Sequence, residues 1–110
     1  MAGKSYEKGR AFEYRVKRKL ERAGFFVARS AGSHFPDLVA VKRGIPYAVE
    51  CKRNLKNLNR RELENLLSLK AFGIVPLVAY PEGGKIVLKR VEEVQAERVG
   101  ARARKPVEKA

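Results

Sequence analysis

Two short apolar runs, Leu38–Val41 and Tyr47–Cys51, limit most strongly what this chain can become. Both are rich in Val and Ala, and Lys42-Arg43-Gly44 lies in the segment between them. Runs of this length bounded by a glycine-containing turn predict two antiparallel strands of one hairpin. Pro46 has no N–H to give, so it must stand at the start of its strand or on an unpaired edge. The same segment carries three charges where strands rarely hold them: Asp37, Glu50 and Lys52. Strand side chains alternate faces, and opposed residues in an antiparallel pair keep a constant index sum. A two-residue turn at Arg43-Gly44 sets that sum at 87 and puts Asp37 opposite Glu50. A loop two residues longer puts Asp37 opposite Lys52 instead. In either register the three charges share one face, with Val49 and Cys51 on the other.

Opposed residues bring their Cβ atoms to roughly 4.5–5.5 Å. Two carboxylates that close repel unless a positive charge lies between them. A hard divalent cation suits the place: Mg²⁺ binds through one or two carboxylates and keeps positions for water and phosphate. A lysine beside it orients water or stabilises charge on a phosphate. The plainer reading is a wet sheet face on which Lys52 neutralises two acids. Pro36, the apolar strands and the charge of the whole chain favour the first reading.

That charge is lopsided. Lys and Arg number 25 against 12 Asp and Glu, a net +13 on 110 residues. Such an excess points to a polyanionic partner, nucleic acid before an anionic membrane surface. A merely solubilising surface usually adds both signs. The length suits one domain, and 45% apolar residues support a modest core. One cysteine and one histidine exclude an internal disulfide and a zinc finger and suit a reduced, intracellular setting. No apolar stretch reaches membrane-spanning length, and the basic start leads into an amphipathic segment rather than a signal-peptide core. No membrane association is expected.

Around the hairpin, residues 5–23 predict a helix capped by Ser5, with Phe12, Val16, Leu20 and Ala23 as its apolar stripe and Gly24 as its stop. Residues 1–24 hold eight basic and three acidic side chains. Lys8, Arg10 and Arg15 on this helix are candidate DNA contacts. Glu13 falls on the margin of the buried stripe, where it either reaches over the sheet edge toward the acidic pair or balances a neighbouring cation. Residues 25–29 predict a strand and 30–35 a loop. His34, in that polar loop, suits DNA contact better than catalysis. A second helix over 60–72 begins with a capping box, Asn59 and Glu62, and buries Leu63, Leu66, Leu67 and Ala71. Leu69 and Phe72 lie off that stripe and mark either an interface or packing under the C-terminal segment. Strands follow at 74–80 and 85–90, around a turn at 81–84. Residues 91–99 add a helical turn or two, and 100–110 read as a mobile basic tail. This gives an α/β fold with residues 1–90 as the domain and 91–110 as a C-terminal basic extension.

These residues resemble a known family. "PD", twelve residues, then "ECK" is an instance of the PD-(D/E)xK nuclease pattern. With "GRAFE" in the first helix, "GFFVARSAGSHFPDLVAV" and "YAVECK", the chain is similar to the archaeal-type Holliday junction resolvases, cellular and viral. The resemblance is good over residues 8–52 and looser to 90. It implies a mixed central β-sheet of about five strands flanked by helices, a restriction-endonuclease-like core. It implies an endonuclease dependent on Mg²⁺, with Mn²⁺ as a substitute. Such an enzyme works as a homodimer and cuts two strands of like polarity symmetrically about a four-way DNA junction. By position, Glu13, Asp37 and Glu50 match the metal-site acids, and Lys52 matches the catalytic lysine. The Cys51 backbone carbonyl, between Glu50 and Lys52, joins the expected metal set, and its thiol reads as a small buried apolar group. Arg29 matches a basic residue of the family, and Ser33 lies in the loop that approaches the scissile phosphate. Where the family often has Arg after the helix glutamate, this chain has Tyr14. A cytoplasmic, nucleoid-associated location is implied. Two other functions fit the residues: a nuclease of the same superfamily acting on flaps, ends or duplex, and a non-catalytic basic nucleic-acid binder.

Overall fold

The computed structural model describes the backbone of residues 3–31 and 35–104 and the side chains of 7–31 and 35–100. Helix α1 spans Gly3–Arg22. It starts before Ser5, which therefore lies inside the helix rather than capping it. Its stripe is set by sequence spacing: Phe12, Val16 and Leu20 are all buried, whereas Ala23, expected to continue it, lies past the helix end and is exposed. The stop follows from backbone chemistry. Gly24 takes a φ of 94°, its N–H donates to the Glu21 carbonyl at 3.0 Å, and the Phe25 N–H donates to the Leu20 carbonyl at 3.1 Å. That paired closure needs a left-handed residue, and glycine takes one without strain.

Five strands follow: β1 (Phe26–Arg29), β2 (Leu38–Lys42), β3 (Ile45–Cys51), β4 (Val75–Glu82) and β5 (Lys85–Arg90). They form one mixed sheet in the order β1-β2-β3-β4-β5, parallel only between β3 and β4. A parallel pair needs a long crossover. Here it is built from a 3₁₀ turn (Leu55–Asn57), α2 (Arg60–Ser68) and a second 3₁₀ turn (Leu69–Phe72). The chain is thus an α/β protein with helices on both faces of a five-stranded sheet, as expected.

The β2–β3 turn has two residues, Arg43 at φ 53° and Gly44 at φ 79°. Left-handed conformation at both central positions is the turn that matches strand twist. It fixes the register at Leu38↔Val49 through Lys42↔Ile45, the sum of 87. β3 begins at Ile45, two residues earlier than the apolar run suggests. Pro46 is tolerated because it pairs with Val41 on one side, while β4 joins β3 only from Tyr47 on. The missing N–H is therefore not owed to a ladder.

Helix α1 packs on one sheet face over Val27, Leu38, Ala40, Val49 and Ala79. The other face carries a second core, with Val78 and Tyr80 packed against Leu58, Leu63 and Leu66, and against Val91 and Val94 of α3 (Val91–Arg104). Val91 and Val94, three apart, are buried, so the segment after β5 starts as part of the packed unit rather than as a loose extension. Helix continues through residues 100–104, which the missing apolar periodicity assigns to the tail; 105–110 lie outside the described residues. Leu69 packs against the second core, whereas Ala71 is exposed and Phe72 is 76% exposed. The switch from α to 3₁₀ at Leu69 turns Ala71 further from the α-helical stripe.

Candidate active site

One pair beyond the last rung of the β2–β3 ladder, the register places Asp37 opposite Glu50. The contacts agree. The Asp37 backbone N–H donates to Glu50 Oε1 at 3.3 Å, and the Cys51 backbone N–H donates to Asp37 Oδ2 at 2.8 Å. The Asp37 carbonyl accepts from the Ser30 N–H at 2.9 Å, tying the end of β2 back to β1. Backbone groups thus hold both carboxylates, while part of their capacity stays unspent.

Glu50 is the one buried charged residue among those described, at 8% exposure. Burial, followed by the nearby Asp37 charge, pushes its pKa up to about 7, against the pull of the Asp37 N–H and of Lys52. Asp37 is also raised, first by burial, with the Cys51 N–H and Lys52 opposing. Two acids this close titrate as a pair, and the pair resists carrying two charges without a cation.

Lys52 leaves the end of β3, its backbone N–H donating to the Ala79 carbonyl at 2.9 Å. Its Nζ lies 2.7 Å from Glu62 Oε2. Glu62 is itself held: its Oε1 accepts from the Asn59 N–H at 3.0 Å, and Asn59 Oδ1 accepts from the Glu62 N–H at 2.8 Å. The capping box expected from the sequence therefore does double duty, starting α2 and anchoring the lysine. Burial works to raise Glu62, but hydrogen bonds from Lys52 and Asn59 outweigh it and leave its pKa below the usual value. Sequence reasoning missed this partnership; the signal was an acid in the first turn of the helix that follows the "ECK" strand.

Glu13 reaches the same end of the sheet from α1. Burial and the Asp37 charge raise its pKa, against Arg29. Arg29 Nε approaches Glu13 Oε1 at 3.1 Å as an ion pair, off the line of an N–H hydrogen bond. The Arg29 guanidinium also stacks on the Tyr14 ring, 4.8 Å from its centroid. Arg29, expected as a DNA contact, is thus engaged with Glu13. Tyr14, where the resemblance anticipates Arg, serves as its platform. Cys51 is half-buried against the α1 core, and burial together with Asp37, Glu13 and Glu50 pushes its thiol pKa up, so it stays protonated. Lys8, Arg10 and Arg15 stand exposed on α1, Arg15 over the Phe12 ring at 5.6 Å. Ser33 and His34 lie outside the described residues.

Among the described residues no group of three or more His, Cys, Asp and Glu side chains converges closely enough to hold a metal ion. The donor set at Asp37 and Glu50 still fits one class of ion. A buried and a half-buried carboxylate with no ion-pair partner of their own among the described residues suit a small hard cation bound through one or two carboxylates. Among the described residues, no helix is long and apolar enough to cross a membrane.

The sequence family described as archaeal Holliday junction resolvase (Hjc) matches residues 4–110. A curated relative, the crossover junction endodeoxyribonuclease Hjc of Methanocaldococcus jannaschii, is 40% identical over 86 residues. The match covers 74% of this chain and 65% of that protein, so it spans just under two thirds of the relative's length. Among solved structures, Hjc of Archaeoglobus fulgidus, a Holliday junction resolvase, is similar at a TM-score of 0.66 and 30% identity. That likeness covers 77% of this chain and 74% of the other.

Proposed function

The chain belongs to the archaeal Holliday junction resolvase family, and on that premise we propose that it is a structure-selective endodeoxyribonuclease that nicks four-way DNA junctions symmetrically. The observation that carries the reading is the pairing of Asp37 with Glu50 across a register fixed by a two-residue turn, with Lys52 two residues past Glu50, just beyond the end of β3.

Asp37 and Glu50, with the Cys51 carbonyl alongside, would hold Mg²⁺, for which Mn²⁺ would substitute, and Glu13 would act through a water on that ion or through a second ion. A divalent ion there would neutralise charge on the phosphate and lower the pKa of a bound water. The chain's own part is positional. Backbone N–H groups fix the two carboxylates, and Glu62 holds the Lys52 ammonium ready to orient a water or stabilise developing charge. Arg29 restrains Glu13. The excess of basic side chains supplies affinity through phosphate contacts, which are strongly salt-dependent. Junction selectivity would then be a readout of shape.

Paired nicks require two sites related by the junction's two-fold axis, so the working unit is a homodimer. Exposed Phe72 supports that reading, whereas Leu69 is spent on the chain's own core. The cytoplasm, at the nucleoid, is where such substrates occur.

The test compares a four-way junction, a flap and linear duplex, each with Mg²⁺, for wild type and Glu50→Ala. Symmetric nicks on the junction alone, absent in the variant while binding persists, are expected. Equal cutting of flap or duplex would move the chain to another branch of the nuclease superfamily. Binding with no cutting would leave a basic nucleic-acid binder.

A further inference from the structure

Helix α1 has two unlike flanks beside its buried stripe. At 100° per residue, with Phe12 at zero, Glu13 falls at ~100° while Arg15, Arg18, Lys19 and Arg22 cluster around ~290°. The first flank serves the acidic end of the sheet. The second faces β5 across a groove of about 440 Å³, lined by these four side chains together with Gly84 and Lys85 at the β4–β5 turn. No acid lines it.

Elsewhere, many of the chain's cations are matched. Lys17 pairs with Glu21, Arg60 with Glu64, Lys70 with Glu92 and Lys89 with Glu97. None of the five cations of the groove has an ion pair among the described residues. Positions 15, 18, 19 and 22 are neighbours on a helix surface, so four like charges there repel and weaken the helix unless an anion lies among them. Their seven-residue span covers ~10 Å along the axis. Neighbouring phosphates of one DNA strand stand further apart than their ~3.4 Å rise along the duplex axis, so the row can reach only a short run of consecutive phosphates.

We propose that this groove grips the sugar–phosphate backbone of a duplex arm of the junction, away from the phosphate that is cut. The inference rests on the proposed junction-resolving function and extends it, because an arm held on the far flank of α1 orients the crossover over the acids on the near flank.

The experiment measures binding of the full chain to a long-armed and a short-armed four-way junction without Mg²⁺, over a range of salt. The groove variant is Arg18→Ala/Arg22→Ala/Lys85→Ala. The control is Arg60→Ala/Lys70→Ala/Lys89→Ala, which removes the same charge from paired positions. The groove variant is expected to flatten the log–log salt slope by roughly 3 per bound protomer on the long-armed junction. It is also expected to lose the wild type's preference for long arms, while the control moves the slope by less than ~1. Arg22→Glu alone gives the same direction of change from a single exposed site, which guards against a folding defect in the triple variant. Equal effects of groove and control variants would reduce the groove to bulk charge and overturn the proposal. So would loss of binding to anionic lipid vesicles, rather than to the junction, in the groove variant. If wild type neither binds nor cuts the junction, the parent reading fails instead; if it does both and only the slope stays put, the groove alone fails.

Discussion

The β2–β3 hairpin has two ends that use charge in opposite ways. At the closed end the work is structural. Arg43 and Gly44 take up the left-handed turn, and Lys42 Nζ donates to the Ala23 carbonyl at 2.6 Å, completing the C-terminus of α1. At the open end, five residues and ~17 Å along the strands, the half-buried Asp37 and the buried Glu50 stand together, Lys52 offsets only part of the cost, and both pKa values rise. The closed end lowers the free energy of the fold and sets the register. The open end draws on that stability to keep two acids where they repel. A slip of one residue at the turn would send Glu50 to the α1 face, so the chemistry at one end depends on backbone geometry at the other.

The widest difference between the ends should appear in cutting. Glu50→Ala or Asp37→Asn is expected to reduce junction cleavage by on the order of 10³-fold, about 4 kcal/mol of barrier. Junction affinity should stay within a few-fold, as read by gel shift beside single-turnover cleavage. Next comes stability against pH. Glu50 has a raised folded pKa, so its contribution is present below the unfolded value of 4.5 and is lost as pH rises through about 7. Urea denaturation of the metal-free protein should therefore show a fall of up to ~3 kcal/mol between pH 5 and 8. Glu50→Gln should remove most of that fall, and Mg²⁺ should offset it in the wild type by favouring the charged pair. No difference between wild type and Glu50→Gln in this window would mean that the open end stores no electrostatic strain.

Much of this contrast can be read in the sequence. The Val-rich runs and Gly44 were enough to put Asp37, Glu50 and Lys52 on one face but left two registers, and the two-residue turn decides for the one that sets Asp37 across from Glu50. Phe12, Val16 and Leu20 of the α1 stripe followed from spacing alone, but not where the stripe stops. Tertiary packing was harder to foresee. Val91 and Val94 are too few for a periodic signal, yet the second sheet face leaves room for them. Leu69 and Phe72 both lie off the α2 stripe, yet Leu69 packs against the second core and Phe72 stays on the surface, a difference that helical spacing does not encode. The Lys52–Glu62 and Arg29–Tyr14 contacts join segments that no local rule connects.

The closed end yields smaller effects of a different kind. Gly44→Val forces a β-branched residue into a φ of 79° and should cost roughly 1–3 kcal/mol in thermal or chemical denaturation. Cutting per folded molecule should remain close to wild type; a loss on the scale of Glu50→Ala would mean that the turn does more than set register. Last in size is the support of Lys52. Glu62→Gln keeps an oxygen for the Asn59 N–H but withdraws the charge facing Lys52. We expect about a tenfold drop in the cleavage rate, 1.4 kcal/mol, with unchanged junction affinity and little change in melting temperature. A melting temperature that falls while the rate holds would assign Glu62 to the helix cap alone.

Crystals of the protein grown with Mn²⁺ and examined by anomalous scattering address the open end most directly. An anomalous peak between the carboxylates of Asp37 and Glu50, absent in Glu50→Ala, is the predicted result. A peak bound elsewhere, with none between Asp37 and Glu50, would contradict the assignment of this end of the hairpin as the place where the ion sits.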